Sequence, residues 1–151
     1  ELYKSGHVRA IGVSNFETKH LRSIEKTWNV VPAVNQIEFN PFQNPKELRE
    51  YCLNRDIHVE GYCPFGKGKV FHDRRLSDIA KRLNMPISHL IIHWHVQNHI
   101  TCIPKSNDAK HIIENASYLS CGYHPLDSKT MNTLDSMHSN LRVTWDPTNV
   151  P

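Results

Sequence analysis

Side chains able to bind a polar ligand follow the ends of four short apolar segments in this sequence. These groups are Ser14 and Asn15, then Gln36, Glu38 and Asn40, then Tyr62 with the loop at 66–69, and finally Lys105 and Ser106. Amides such as those of Asn15 and Gln36 suit a neutral carboxamide, whereas a lysine and a serine ahead of a helix suit a phosphate. Because ligands bind where the carboxyl ends of parallel strands meet, the pattern predicts a binding site at that edge of a sheet.

Ser14, Asn15 and Ser106 also have a simpler interpretation as helix caps. Each lies just ahead of a segment with helical spacing, and Ser and Asn are among the preferred capping residues. Taken one at a time, these residues favour the capping role. Polar groups at four strand ends together favour the ligand site instead.

One glycine-rich segment resembles a phosphate-binding P-loop but lacks an essential residue. Gly61 and Gly66-Lys67 have nearly the required spacing. Gly68 stands where a serine or threonine must hold magnesium, so the sequence argues against an NTPase.

Two histidine pairs, His89 with His93 and His95 with His99, have the i, i+4 spacing of zinc ligands on a helix. The residue after the first histidine of each pair is aliphatic, whereas a zinc protease has glutamate there. The four cysteines form no Cys-x-x-Cys pair, which argues against a structural zinc site. We therefore expect no metal, and we predict that the histidines lie on a solvated, partly interfacial helix face.

Alternating strands and helices must position these groups. Strands are predicted at residues 9–13, 33–39, 57–63 and 100–103. Helices are predicted between Ser14-Asn15 and Pro32, from Pro45 until Asp56, at 76–83, from Ser88 to about residue 98, from Asp108 to residue 118 and at 127–137, with a loop at 64–75 and a C-terminal tail at 142–151. Short apolar strands that alternate with helices indicate an α/β protein with a parallel sheet covered by helices.

Composition narrows the class of protein further. The chain has 151 residues, enough for one domain, and 38% of them are hydrophobic, which is low for a core of this size. A formal charge of +3 is too small to indicate a nucleic acid or an anionic membrane as partner. No apolar run approaches the roughly 20 residues of a membrane span, and the N-terminus does not read as a secretory signal. A cytoplasmic location is therefore expected.

Four motifs in chain order resemble those of the aldo-keto reductases. They are residues 9–16, 34–41, 61–68 and 103–106, the last followed by Glu114-Asn115. The resemblance implies a TIM-type (β/α)8 barrel, of which residues 1–151 would form the C-terminal half with strands five to eight. The first six residues read like the last turn of a helix, which adds to that expectation.

The resemblance also implies a binding site for NADP(H). It implies these contacts, from one end of the coenzyme to the other: Ser14, Asn15 and Gln36 at the nicotinamide carboxamide, Tyr62 stacked on the nicotinamide ring, Phe65 and Lys67 along the pyrophosphate, Lys105 and Ser106 at the 2′-phosphate, and Glu114 and Asn115 at the adenine.

Two residues depart from the family pattern within this site. His111 stands where many members have an arginine, and an imidazole cannot form the bidentate pair that a guanidinium forms with phosphate. The preference for NADP over NAD is therefore expected to be weak. Cys63 stands where serine is common, and its thiol is the poorer hydrogen-bonding group.

No catalytic residue is predicted in this chain. The family's catalytic Asp, Tyr, Lys and His lie in the first half of its barrel, and no segment here matches them. His93 lies in a segment that superficially resembles the one with the family's catalytic His. Because this segment comes after the third motif in the chain, no catalytic role is assigned to His93. The expected function is hydride transfer from NADPH to an aldehyde or a ketone, with the isolated chain inactive. The alternative is a non-catalytic half-barrel that binds a nucleotide or a partner protein.

Four parallel strands cannot close a barrel that needs eight. An inner face that carries Ile11, Val13, Val34, Ile37 and Tyr62, or their neighbours, would then be exposed between two unpaired edges. The chain is therefore expected to pair with a missing N-terminal half, to self-associate or to stay loosely packed.

Overall fold

A parallel sheet with helices packed against it forms the protein. The computed structural model describes residues 1–118 and 125–150, so Cys121 and the last residue of the predicted tail lie outside the described residues. The strands are β1 Val13–Ser14, β2 Val34–Glu38, β3 His58–Tyr62 and β4 Thr101–Ile103. They lie in the order β1-β2-β3-β4, and every neighbouring pair is parallel. The predicted α/β class with a parallel sheet is confirmed.

The described residues form six α-helices and one 3₁₀ segment. The helices are α1 Thr18–Glu25, α2 Lys46–Leu53, α3 Arg74–Arg82, α4 Ile87–Gln97, α5 Ala109–Ser117 and α6 Ser128–Asp135. The 3₁₀ segment, Gly66–His72, occupies most of the predicted 64–75 loop. None of the helices in this part of the chain is long and apolar enough to cross a membrane.

The first strand is shorter than predicted. Residues 9–12 are not part of β1, which pairs with β2 at Val13 and Ser14 alone. Ahead of the strand, one backbone bond joins the Ala33 N–H to the Ile11 carbonyl at 2.7 Å. A Cβ on Gly12 would come within 2.9 Å of a carbonyl oxygen of β2, so only glycine permits this close approach.

Several helices begin at other residues than the capping signals predicted. α1 begins after Glu17, whose backbone N–H and side chain form a capping box with His20. Pro45 is the N-cap of α2 and not its first helical residue. Ser88 lies inside α4, where it is buried and bonds a distant partner. The predicted capping roles of Ser14, Asn15 and Ser88 are therefore wrong: α1 begins three residues after Asn15 with its own capping box, and Ser88 lies inside α4, whose N-cap is Pro86.

The core lies between the sheet and its helices. Ile37 and Val59 point from the sheet into this core, together with Phe39 just beyond β2. The Phe39 ring stacks on Trp94 of α4, with centroids 4.5 Å apart and planes within 6° of parallel. Such stacked aromatic pairs bury a large apolar area and fix α4 against the sheet.

The histidines of α4 are buried, which the sequence analysis did not predict. His89, His93 and His95 are 9%, 4% and 0% exposed, whereas His99 lies beyond the helix and is exposed. Both ring nitrogens of His95 face carbonyl oxygens, those of Ile91 at 2.8 Å and Phe39 at 3.1 Å. Burial lowers the pKa of His95 to about 4, so its ring is neutral at pH 7. The prediction of a solvated face is wrong because α4 is covered on several sides.

The other face of the sheet carries mainly polar side chains, so the predicted apolar inner face is correct only in part. Register pairs Gln36 with Glu60, and the Gln36 amide donates to the Glu60 carboxylate at 2.5 Å. Val34 and Tyr62 lie on this face as expected, because side chains alternate between the two faces of a strand. Val13 and Ile37, which were also expected there, pack in the helix-covered core instead.

The C-terminal segment, residues 139–150, packs back across the sheet without helix or strand in its described residues. It begins with a backbone bond from Ser139 to Phe42, and Arg142 forms a largely buried ion pair with Glu17. At its far end the Val150 carbonyl accepts from Lys19 and His20 of α1. The segment therefore crosses the carboxyl ends of β1 and β2 and meets the start of α1.

Candidate functional site

A cavity of about 820 Å³ opens beyond the carboxyl ends of β3 and β4. Its walls come from the turn after β3 and the 3₁₀ segment, from the start of α4, and from the β4–α5 connection with α5. The residues of the predicted site that line it are Phe65, Lys67, Lys105, Ser106, His111, Glu114 and Asn115. Its size falls within the 300–1,000 Å³ range typical of small-ligand pockets.

The turn after β3 has an unusual backbone that shapes one wall of the cavity. Cys63, Gly66, Lys67 and Gly68 all have positive φ, at 53°, 53°, 53° and 92°. Backbone bonds from Gly66 to the Cys63 carbonyl and from Gly68 to the Phe65 carbonyl hold the chain in two successive tight turns. Left-handed conformations are strained at Cys63 and Lys67, and such strain is characteristic of ligand-binding loops.

The β4–α5 connection supplies hydrogen-bond donors for an anion. Lys105 is exposed, and it forms no ion pair with any residue that the structure describes. Asp108 caps α5 and accepts from the Lys110 N–H at 2.8 Å, while Ser106 bonds the Asp108 N–H at 3.0 Å. Because Asp108 already occupies an amide of the helix, an anion here would bind mainly Lys105 and Ser106.

Glu114 is fixed to α4 by two contacts that the sequence did not predict. The buried Ser88 hydroxyl donates to its carboxylate, and a ring nitrogen of His89 lies 2.8 Å from its carbonyl oxygen. These contacts set the position of α5 relative to the cavity. Phe71, whose ring lies 5.3 Å from that of Phe65, is a further aromatic wall that the sequence analysis missed.

The remaining predicted residues form a hydrogen-bonded cluster at the ends of β1, β2 and β3. The Ser14 hydroxyl donates to the Gln36 carbonyl at 3.1 Å, and the Asn15 amide donates to Ser14 at 3.2 Å. The Tyr62 hydroxyl donates to the Asn15 side-chain oxygen at 2.9 Å. Asn15 has a φ of 58°, a left-handed conformation that directs the chain sharply away from the sheet. The predicted nicotinamide residues are therefore neighbours in space.

Glu60 and Glu38 are the two carboxylates of this cluster. Glu38 was among the polar residues noted at strand ends, whereas Glu60 was not predicted. Glu60 accepts from Gln36, and Glu38 is fully buried beneath the C-terminal segment. Both contact residues far away in the chain, so no local pattern indicated these contacts. Burial also raises the pKa of the Cys63 thiol beside this cluster, and the nearby Glu38 charge adds to that rise.

No metal site is apparent among the residues that the structure describes: no group of three or more His, Cys, Asp or Glu side chains could hold an ion there. His93, whose segment superficially resembles the one with the family's catalytic His, is buried on α4. Its ring contacts Tyr118 edge-on, with ring centroids 4.6 Å apart. Its place is in the α4–α5 packing and not at the carboxyl ends of the strands.

Parallel strands, helices on one face and polar groups gathered at the strand ends define a class of α/β proteins that bind ligands at this edge. Comparison with known proteins gives the family. The model of the aldo/keto reductase family matches residues 1–139, and the chain belongs to this family. The family fold is a TIM-type barrel, and a four-stranded parallel sheet agrees with part of one.

Individual relatives are similar over almost all of this chain. The uncharacterized oxidoreductase YtbE of Bacillus subtilis is 39% identical over 98% of the chain and 52% of its own length. Glyoxal reductase of the same organism is 37% identical over 97% of the chain and 52% of its own length. The chain therefore spans about half the length of these relatives.

Solved structures agree closely with this fold. The apo form of Gox0644 superposes with a TM-score of 0.91 at 38% identity, covering 99% of this chain and 55% of that one. A mutant of Gox0644 in complex with NADPH gives a TM-score of 0.90 at the same identity and coverage. The arrangement of strands and helices described above is thus one that recurs in solved members of the family.

Proposed function

We propose that this chain is the coenzyme-binding half of an NADPH-dependent aldo-keto reductase that reduces aldehydes or ketones. The observation that carries the proposal is the pairing of two sites along one edge of the sheet. A cavity with lysines that form no ion pair with any described residue lies beyond β3 and β4, and an amide-rich cluster lies beyond β1, β2 and β3. NADPH has a phosphate-rich adenosine end and a carboxamide-bearing nicotinamide end, which match the two sites in chemistry.

The residues present suit the adenosine end of this coenzyme. Lys105 and Ser106 would bind the 2′-phosphate, and Phe65 and Lys67 would lie along the pyrophosphate. Glu114 and Asn115 border the cavity at the place proposed for the adenine. Lysine is a point charge that attracts phosphate without the bidentate geometry of arginine, so with His111 nearby we expect only a modest preference for NADP over NAD.

At the nicotinamide end, Ser14, Asn15 and Gln36 would hold the carboxamide while the Tyr62 ring stacks on the nicotinamide. When bound, the coenzyme would supply the hydride for carbonyl reduction. The chain's own groups would orient the ring and keep one of its faces covered. The general acid that protonates the substrate oxygen is proposed to lie in a part of the barrel that pairs with this one.

A titration tests the proposal directly. Full chain is titrated with NADPH and with NADH by isothermal calorimetry, beside a Lys105→Met variant. We expect NADPH to bind more tightly than NADH, and Lys105→Met to weaken NADPH alone by about tenfold, the scale of one charged phosphate contact. Equal affinity of the wild-type chain for both coenzymes would remove Lys105 and Ser106 from the phosphate role. Binding of neither would contradict the proposed function.

Turnover provides the second test. With an activated aldehyde and NADPH, the isolated chain is expected to show no reductase activity, because general-acid catalysis typically contributes 10²–10⁴-fold and no acid has been assigned here. Reduction at the rate of an intact reductase would show that the active site is misplaced. Coenzyme binding without turnover, even beside a supplied N-terminal barrel half, would favour the alternative of a non-catalytic nucleotide-binding protein.

A reducing, cytoplasmic setting is part of the proposal. Cys52, Cys63 and Cys102 are free thiols, as expected in that compartment. Burial raises the pKa of Cys102 to about 12, so this thiol stays protonated and inert at neutral pH.

A further inference from the structure

Glu38, at the end of β2, accepts hydrogen bonds from four donor groups, and nothing described so far explains why. The residue is fully buried, and its carboxylate accepts from the backbone N–H groups of Val143 and Thr144 at 2.9 and 3.1 Å. It also accepts from the Thr144 hydroxyl at 2.5 Å and, from inside the core, from the Asn40 amide at 3.3 Å. Glu38 therefore fixes the middle of the C-terminal segment on the sheet.

The same contacts continue to the proposed nicotinamide residues. The Thr144 hydroxyl oxygen lies 3.0 Å from the Tyr62 hydroxyl, which in turn lies 2.9 Å from the Asn15 side-chain oxygen. A carboxylate can only accept, so Thr144 gives its single hydroxyl hydrogen to Glu38, and its oxygen is left as an acceptor. Glu38 therefore places a second acceptor, beside that of Asn15, next to the single hydroxyl hydrogen of Tyr62.

A buried carboxylate is costly unless hydrogen bonds or a cation compensate it. Among the residues described, Glu38 forms no ion pair, so the donors from Val143 and Thr144 provide most of its compensation. The ends of the segment are held separately, by Arg142 on Glu17 and by Val150 on α1. Among these anchors, Glu38 is the one that bonds Thr144, whose hydroxyl contacts that of Tyr62.

We propose that Glu38 is a positioning residue for the nicotinamide site: by holding Thr144 against the Tyr62 hydroxyl, it fixes the Tyr62 ring and the Asn15 amide where the nicotinamide would bind. The proposal rests on the function proposed above for Tyr62 and Asn15. It requires that losing the Glu38 carboxylate weaken binding at the nicotinamide end and leave the adenosine end unchanged.

The first test needs no coenzyme. Amide hydrogen exchange at Val143 and Thr144 is compared in the wild-type full chain and in Glu38→Gln. Glu50→Gln, which changes an exposed glutamate on α2, serves as the matched control. Glutamine keeps one acceptor oxygen but places an NH₂ group against the donors that bonded the other oxygen, so exchange at Val143 or at Thr144 should rise by about tenfold or more in Glu38→Gln alone. Unchanged exchange would overturn the proposal, whatever the chain binds.

The second test separates the two ends of the coenzyme. In Glu38→Gln, the affinity for NADPH should fall by about tenfold while that for 2′,5′-ADP, which lacks the nicotinamide, stays within about twofold of wild type. Thr144→Val keeps both backbone donors on Glu38 but removes the hydroxyl, so it should show the same selective loss with normal exchange at Val143. Equal weakening of both ligands, or of neither, would overturn the positioning role. Failure of the wild-type chain to bind NADPH would instead count against the proposed function.

Discussion

At the scale of single residues, recognition of the 2′-phosphate depends on the donors that face the cavity. His111 is exposed on α5 and lines that cavity. His111→Arg should tighten NADPH binding by about tenfold and leave NADH unchanged, because a guanidinium can form a bidentate pair with phosphate. Calorimetric titration checks this, with His72→Arg, an exposed histidine that does not line the cavity, as the control. The same gain in both variants would mean that added charge, and not geometry, is responsible.

Part of the candidate site was predicted from residues that lie at or just beyond strand ends, such as Asn15, Gln36 and Lys105. The residues of the 3₁₀ segment and of α5 were implied only by the family resemblance. The contacts of Ser88, Glu60 and Glu38 were not predicted, because they join residues 24 or more positions apart and lie outside any local pattern. The buried histidines of α4 were misjudged for a similar reason: spacing shows which residues share a helix face but not what covers that face.

His95 makes the stability of the chain depend on pH. Burial lowers its pKa from 6.5 to about 4, so the unfolded chain binds a proton at a higher pH than the folded chain does. Its contribution to stability is therefore full above pH 6.5, is lost as the pH falls, and stops changing below about 4. Between pH 7 and pH 5 the loss should be about 2 kcal/mol.

Urea unfolding at both pH values measures this loss. In His95→Gln the side chain does not titrate, so the variant should lose about 2 kcal/mol less than the wild-type chain over the same interval. Other histidines contribute equally to both proteins, and the comparison removes them. Parallel loss of stability in the two proteins would show that His95 takes up its proton without unfolding.

At the scale of elements, the contact between α4 and α5 is expected to govern the adenosine end of the site. Ser88 is 2% exposed and donates to the Glu114 carboxylate. Ser88→Ala should loosen α5 and weaken binding of 2′,5′-ADP by about fivefold, the scale of one lost hydrogen bond to a charged group. Ser128→Ala, at the exposed start of α6, is the matched control. If 2′,5′-ADP binds Ser88→Ala as tightly as the wild-type chain, the position of α5 does not depend on this bond.

Elements were predicted more reliably in their middles than at their ends. The centres of β2 and β3 were predicted correctly because apolar residues at alternate positions, such as Ile37 and Val59, mark the covered face of a strand. Starts of helices were less certain because several polar residues near each start can compete for the same amides. At α1 the capping box of Glu17 and His20 forms in preference to the earlier Ser14 and Asn15, which the strand-end cluster engages instead.

At the scale of the whole molecule, the sheet is open at both edges. Within the described part of the chain, β1 pairs with β2 alone and β4 with β3 alone. Unpaired strand edges expose N–H and C=O groups that another strand can satisfy. The helix-covered core is well packed, in contrast to these edges. Phe39, Trp94 and their neighbours are fully buried there, and the two rings are stacked. We therefore expect association through the edges rather than loose packing.

We predict that the isolated chain self-associates at micromolar concentration and that an N-terminal barrel half, when supplied, replaces this self-association. Light scattering measures the mass, and near-ultraviolet circular dichroism should show a structured signal from the buried Trp94. Thr101→Lys places a charge on the β4 edge and should shift the chain toward monomer, since charges on edge strands oppose strand pairing. Thr27→Lys, exposed beyond α1, adds the same charge away from the sheet and should not. A monomeric wild-type chain with a cooperative melt would show that four strands are sufficient on their own, because neither edge would then need a partner.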